Sequence, residues 1–323
     1  MYSLPAPWHR KGPGAGPSFL VHLQHEIAFW PGYTLNNEEG FMASPVVLPR
    51  TESHLVHSAL MDFDFEICIQ GPLVAGPEPL PVVYATDANL FFGAVANAST
   101  LLMIGSEIPP VLTVGIGYPA GAGLAYVLRR RLYDFSPTSD EWYLEIFGSS
   151  PQFAGDAKGG GAPLFFRFMS EELWPWIAER YNVSRDRTYV GDSMAGLFCI
   201  YTLFNHHGFF KRYVIGSPEM DWDFPRCFDY EANYANGHKD LDAIVFLSAG
   251  GAERVLSATA DPATATVFAK ADRAGHTARM GELLASRHYP SLKLKTLIFP
   301  EETHYTVVFG LVAHGLRYVF QAG

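Results

Sequence analysis

The chain predicts an α/β sandwich with a mostly parallel sheet, helices on both faces and an antiparallel hairpin at its N-terminal edge. Three observations carry this expectation. Short apolar runs bounded by turn formers recur through 323 residues, longer segments separate them, and an alternating stretch precedes them all. The composition agrees, with 48% hydrophobic and 17% charged residues, as in a core-rich globular chain.

Residues 1–40 are rich in proline, glycine and polar residues and read as an irregular extension. The remainder, 41–323, reads as one domain with a lid-like insertion around 119–166. From Val56 to Gln70, VHSALMDFDFEICIQ alternates on both sides of Asp62–Phe63–Asp64, as a hairpin does. PVVYA (81–85), PPVLTVGIGY (109–118), RTYVG (187–191), RYVIGS (212–217) and DAIVFLSAGG (242–251) read as buried parallel strands. LKLKTLIFP (292–300) reads as the last strand, followed by an apolar helix at about 306–320. The insertion is rich in Gly, Pro and Ser and contains Gly159–Gly160–Gly161, which suggests an irregular overhang.

Several classes are excluded. The net charge is −10 and the one basic run is Arg129–Arg130–Arg131, so a nucleic-acid partner is not expected. Three cysteines (Cys68, Cys199 and Cys227) form neither a disulfide framework nor a zinc pattern. No metal or cofactor is expected. Val114–Gly115–Ile116–Gly117 begins a loose dinucleotide-binding fingerprint, but Pro119 lacks the N–H that a phosphate cradle uses. No run of about 18 apolar residues spans a bilayer and no signal peptide is visible, so the chain reads as cytoplasmic.

The chemistry centres on RTYVGDSMAGLFCI (187–200), a strand, a small-residue turn and an apolar helix. In a nucleophile elbow the serine occupies the strained turn, and the residues two before and two after must be small to clear the neighbouring strand and helix. Gly191 and Ala195 meet that demand around Ser193, and Gly196 eases it further. The following helix directs its N-terminal N–H groups at the reaction centre, where an oxyanion would form. In the α/β-hydrolase fold the acid and the base follow the serine in that order. His304, after the last strand and before the final helix, is the expected base. Glu253, just past the next-to-last strand, is the expected acid, with Asp261 and Asp272 as alternatives. His206 and His207 read as surface residues and His314 as packing. Oxyanion donors are expected from the backbone of Met194 and of Asn89, with neighbouring Ala88 as the alternative to Asn89, and Arg130 and Gly160 are candidate substrate contacts from the insertion.

LPVVYATDANLFF (80–92), PPVLTVGIGYP (109–119), RRLYDFSPT (130–138), LFFRFMSEELWPWIAERYNV (164–183), GDSMAGLFCIYTLF (191–204), YVIGSPEMDWD (213–223) and FPEETHYTVV (299–308) together resemble the putative-esterase family, which includes enterobactin- and salmochelin-type siderophore esterases. The resemblance implies an α/β-hydrolase fold and hydrolysis of carboxylic esters, in some members those of siderophore trilactones or fusarinine-type chains. By position it implies Ser193 as nucleophile and His304 as base, with Glu253 near the acid position. The family usually shows Leu–Gly where this chain has Met194–Ala195, and Asp–Gly where it has Asp87–Ala88. The expected partner is a small-molecule ester. An acyltransferase of the same architecture and a non-catalytic binder are the competing readings.

Overall fold

The computed structural model describes residues 47–322, apart from 151, 152, 154 and 257. The expected extension at 1–40 lies outside the described residues. Strands β1 (Thr51–Ser58) and β2 (Phe63–Gln70) pair antiparallel, from Thr51↔Gln70 to Ser58↔Phe63. The turn closes one step earlier than the sequence suggests. Phe65, Ile67 and Ile69 alternate into the core, which commits Phe63 to β2, and Asp62 takes the left-handed conformation (φ 45°) that a short polar residue tolerates.

The remaining strands are β3 (Leu80–Ala85), β4 (Leu112–Gly117), β5 (Val183–Asp192), β6 (Arg212–Gly216), β7 (Ile244–Gly250) and β8 (Lys293–Phe299). They complete an eight-stranded sheet in the order β1-β2-β4-β3-β5-β6-β7-β8. β2 is antiparallel to β4, and every pair from β4 to β8 is parallel. Strands β4 and β7 are buried at every position, because a parallel sheet is covered on both faces. β8 forms one edge, where Lys293 and Lys295 are exposed.

Helices α1 (Ala88–Ile104) and α10 (Val307–Gln321) cover one face, meeting Val83, Val190, Val214 and Phe246. The other face carries α2 (Leu124–Phe135), α4 (Ala162–Arg167), α6 (Met194–Asn205), α7 (Arg226–Gly237) and α9 (Arg273–Ser286). α3 (Glu141–Gly148), α5 (Trp174–Arg180) and α8 (Pro262–Lys270) lie between these. The insertion is more regular than its composition suggests. It holds α2, α3 and the start of α4, since Val127, Leu132 and Phe135 share a buried helical face and Asp140 caps α3 by accepting from the Tyr143 N–H at 3.1 Å. Gly123, Gly148 and Gly161 stand at its helix ends.

From β3 the chain crosses to β4 on one side and later returns to β5 on the other. A crevice therefore opens at the carboxyl ends of β3 and β5, the place where open α/β sheets bind ligands.

Candidate active site

Ser193 stands in that crevice with φ 60° and ψ −120°, a backbone conformation that an L-residue adopts at a cost. Its N–H donates to the Gly216 carbonyl at 3.0 Å, and its carbonyl accepts from Leu197 and Glu219 at 2.9 and 3.1 Å. The turn thus stays fixed from both sides. A Cβ on Gly191 would stand 2.5 Å from the Ala195 carbonyl oxygen, and one on Gly196 would stand 2.5 Å from the Gly216 carbonyl oxygen. Small residues here let α6 approach the strand ends closely. Helix α6 starts at Met194, so the Met194 N–H is among those with no acceptor inside the helix.

Ser193 and His304 open onto one cavity of about 360 Å³. His304 is buried, and its Nδ1 lies 2.9 Å from Glu253 Oε2. The other carboxylate oxygen, Oε1, accepts from the Gly250 N–H at 2.7 Å and from the Ser217 hydroxyl. Burial pushes the Glu253 carboxyl up. The hydrogen bonds from His304 and Ser217 and the charge of Arg273 outweigh that effect and hold it below the ordinary carboxylate range. An acceptor at Nδ1 keeps that nitrogen protonated and leaves Nε2 with its lone pair. The two alternative acids lie elsewhere. Asp261 caps α8 by accepting from the Thr264 N–H at 3.0 Å, and Asp272 pairs with Arg254 at 3.4 Å.

Arg273 joins this group from α9. Its Nε lies 2.9 Å from Glu219 Oε2 and 3.9 Å from Glu253 Oε2, and the Tyr143 hydroxyl donates to Glu219 Oε1 at 2.9 Å. The Arg273 guanidinium also lies 4.4 Å from the Phe268 ring centre, and Phe268 meets the His304 ring edge-on at 5.0 Å.

On the opposite wall, Asp87 follows β3 with φ 56° and accepts two hydrogen bonds from Arg131, both 2.8 Å long. Asp87, Arg131 and Met194 all line the cavity. Asn89 does not. Its side-chain amide donates to the Tyr118 carbonyl at 2.7 Å and its oxygen accepts from the Tyr118 N–H at 2.8 Å, which ties it to the end of β4. Arg130 is also turned away, with its Nε 2.9 Å from Asp134 and its guanidinium 4.3 Å from the Phe63 ring centre. Gly160 makes a turn (φ 92°) in which its N–H donates to the Ser136 hydroxyl at 3.0 Å, away from the cavity. Helical periodicity picks out the arginine that does reach the site, because Leu128, Arg131 and Leu132 lie at i, i+3 and i+4 of α2 and line the cavity together.

Asp192, next to Ser193, also lines the cavity, and its buried Oδ1 has no hydrogen-bond partner among the described residues. Burial pushes its carboxyl up to about 6, opposed by the charges of His304 and Arg131 and reinforced by Glu253 and Asp87. Most of the remaining lining is apolar, including Leu90, Phe91, Phe147, Phe268, Val308 and Phe309, and Thr86, Glu219, Thr264 and Arg273 add polar groups to it. Of the other histidines, His206 stacks on Phe166, His207 is exposed, and His314 is exposed on α10 rather than packed inside. No cluster of three or more His, Cys, Asp or Glu side chains among the described residues is arranged to hold a metal, and no helix among them is long and apolar enough to cross a membrane.

A family model described as a putative esterase matches residues 58–279, well over half of the chain. The chain belongs to the putative-esterase family. Within that family it is similar to the ferri-bacillibactin esterase BesA of Bacillus subtilis, at 30% identity over 198 residues covering 59% of this chain and 66% of BesA. It is also similar to the siderophore triacetylfusarinine C esterase of Aspergillus fumigatus, at 27% identity covering 60% of this chain and 63% of the relative. The aligned stretches thus fall just short of two thirds of either relative. The solved structure of the BES protein from Bacillus cereus superposes with a TM-score of 0.70 at 26% identity, covering 87% of this chain and 99% of that one. The fold is that of the α/β-hydrolases.

Proposed function

We propose that this putative-esterase family member is a serine esterase that cleaves carboxylic esters through an acyl-enzyme, with siderophore esters as its substrate class. The observation that carries the reading is the strained Ser193 opening onto the same cavity as His304, whose Nδ1 is held by a buried, ionised Glu253. His304 Nε2 takes the proton from Ser193 Oγ as that oxygen attacks the ester carbonyl. The Glu253 carboxylate stabilises the resulting imidazolium and does not itself take the proton. The Met194 N–H supplies one oxyanion donor. The Asp87 N–H supplies the second, in place of Asn89, because Asp87 lines the cavity at the turn after β3 and Asn89 does not. His304 then returns the proton to the leaving alcohol. Water, activated by the same imidazole, releases the acid and restores Ser193.

The siderophore part of the proposal draws support from the names of the two relatives, both esterases of siderophores. No nucleic-acid or membrane partner enters it, and any iron arrives with the substrate. The test incubates wild type and Ser193→Ala with p-nitrophenyl esters and with ferric and iron-free siderophore esters, following products by mass spectrometry. Serine-dependent opening of a trilactone or fusarinine-type ester supports both parts. Turnover of short synthetic esters alone keeps the esterase and removes the siderophore. Equal activity in wild type and variant sinks the mechanism.

A further inference from the structure

The carboxylate that holds His304 is itself held. Arg273, buried on α9, bonds to Glu219 and stands 3.9 Å from Glu253 Oε2, the oxygen that also faces His304 Nδ1. Glu219 is buried too. It accepts from Tyr143 at 2.9 Å, and its backbone N–H donates to the Ser193 carbonyl at 3.1 Å. One guanidinium therefore stands between a carboxylate that anchors the elbow and a carboxylate that orients the base. We infer that Arg273 is a positioning residue, which with Glu219 fixes Glu253 against His304 and sets the lower pH limit of turnover.

The electrostatics give the inference a sign. Glu253 faces Ser217 from the end of β6, Arg273 from α9, His304 from the turn before α10 and, at longer range, Asp192 from the end of β5. Beyond these, Glu219 and Tyr143 face Arg273, and Asp87 and Arg131 pair across the cavity. A positive charge beside the Glu253–His304 pair disfavours protonation of either member, so it extends the active Glu⁻–His⁰ state to lower pH. Glu219 tempers that charge. Removing Glu219's charge alone leaves Arg273 more strongly felt, whereas neutralising both residues removes its field.

The two changes therefore move the acidic limb in opposite directions, which a merely structural network would not do. The inference rests on the esterase reading for its kinetic test, so a second measurement reads the imidazole directly. kcat and KM for a p-nitrophenyl ester are measured from pH 5 to 9 in wild type, Glu219→Gln and the double variant Arg273→Met/Glu219→Gln. Folding is checked by circular dichroism, and His304 is titrated by NMR in the same three proteins. In the double variant, the acidic limb and the His304 midpoint should rise by about one pH unit. Its kcat near neutral pH should fall roughly tenfold and recover as pH rises, with KM changed less than about twofold. In Glu219→Gln both midpoints should fall. Unmoved His304 midpoints in both folded variants, or shifts of the same sign, overturn the inference. Absence of serine-dependent turnover in wild type counts against the esterase reading alone, and the NMR titration still decides this one.

Discussion

On the base side of the cavity a buried arginine acts through side chains: Arg273 touches Glu219 and Glu253, and Glu253 touches His304. On the oxyanion side a second, half-buried arginine, Arg131, makes two hydrogen bonds to Asp87, but the group proposed to meet the substrate there is Asp87's own backbone N–H. The same kind of ion pair thus secures a side chain on one wall and a strained main-chain turn on the other. A substitution on the base side deletes a proposed reacting group or its orienting partner. On the oxyanion side, it can only loosen a peptide that every residue type carries.

The widest test of this contrast is removal of the reacting groups. Ser193→Ala and His304→Ala should each lower kcat/KM by about 10⁴–10⁶-fold with the fold retained, measured by steady-state kinetics and circular dichroism. Glu253→Gln should lower kcat by about 10²–10⁴-fold, because an amide no longer fixes the tautomer or stabilises the imidazolium. On the other wall, Arg131→Lys replaces a two-pronged grip with a point charge and should lower kcat by about 10–100-fold while KM changes little. Equal losses for Glu253→Gln and Arg131→Lys would erase the distinction between the walls.

Asp192 offers a finer probe of the space between them. Its carboxyl is raised to about 6 in the folded state, so the native protein binds this proton more tightly than the unfolded chain does. Stability from this group is therefore full below about pH 4, its unfolded value, and declines as pH rises through about 6. Asp192→Asn should accordingly raise the denaturation midpoint at pH 8 and leave it nearly unchanged near pH 4, as read by urea unfolding at both values. The smallest effects belong to residues turned away from the cavity. Arg130→Ala should leave kcat and KM within about twofold, and Asn89→Ala should cost stability of about 1–3 kcal/mol by stranding the Tyr118 backbone groups.

The base wall was readable from sequence, and the oxyanion wall much less so. The order of strand ends places an acid after β7 and a histidine after β8, and Glu253 and His304 stand where that order puts them. The strands themselves were readable because buried parallel strands are continuous apolar runs. The turn proposed to hold the oxyanion depends on one φ angle at Asp87, which composition does not encode, so the expectation falls on Asn89 or its neighbour Ala88, and Asn89 is tied to Tyr118 instead. Arg130 and Arg131 differ only in which face of α2 they occupy, and treating the segment as irregular hid the helix that separates them. Arg273 and Glu219 are distant in sequence and meet only through packing, so no spacing links them.

The backbone of Ser193 carries one more consequence. At φ 60° and ψ −120° glycine would sit more comfortably than serine. Ser193→Gly should therefore be a more stable protein that does nothing. The chain is held away from its own stability optimum at the position proposed to carry its chemistry, and selection for thermal robustness alone would act against the proposed nucleophile.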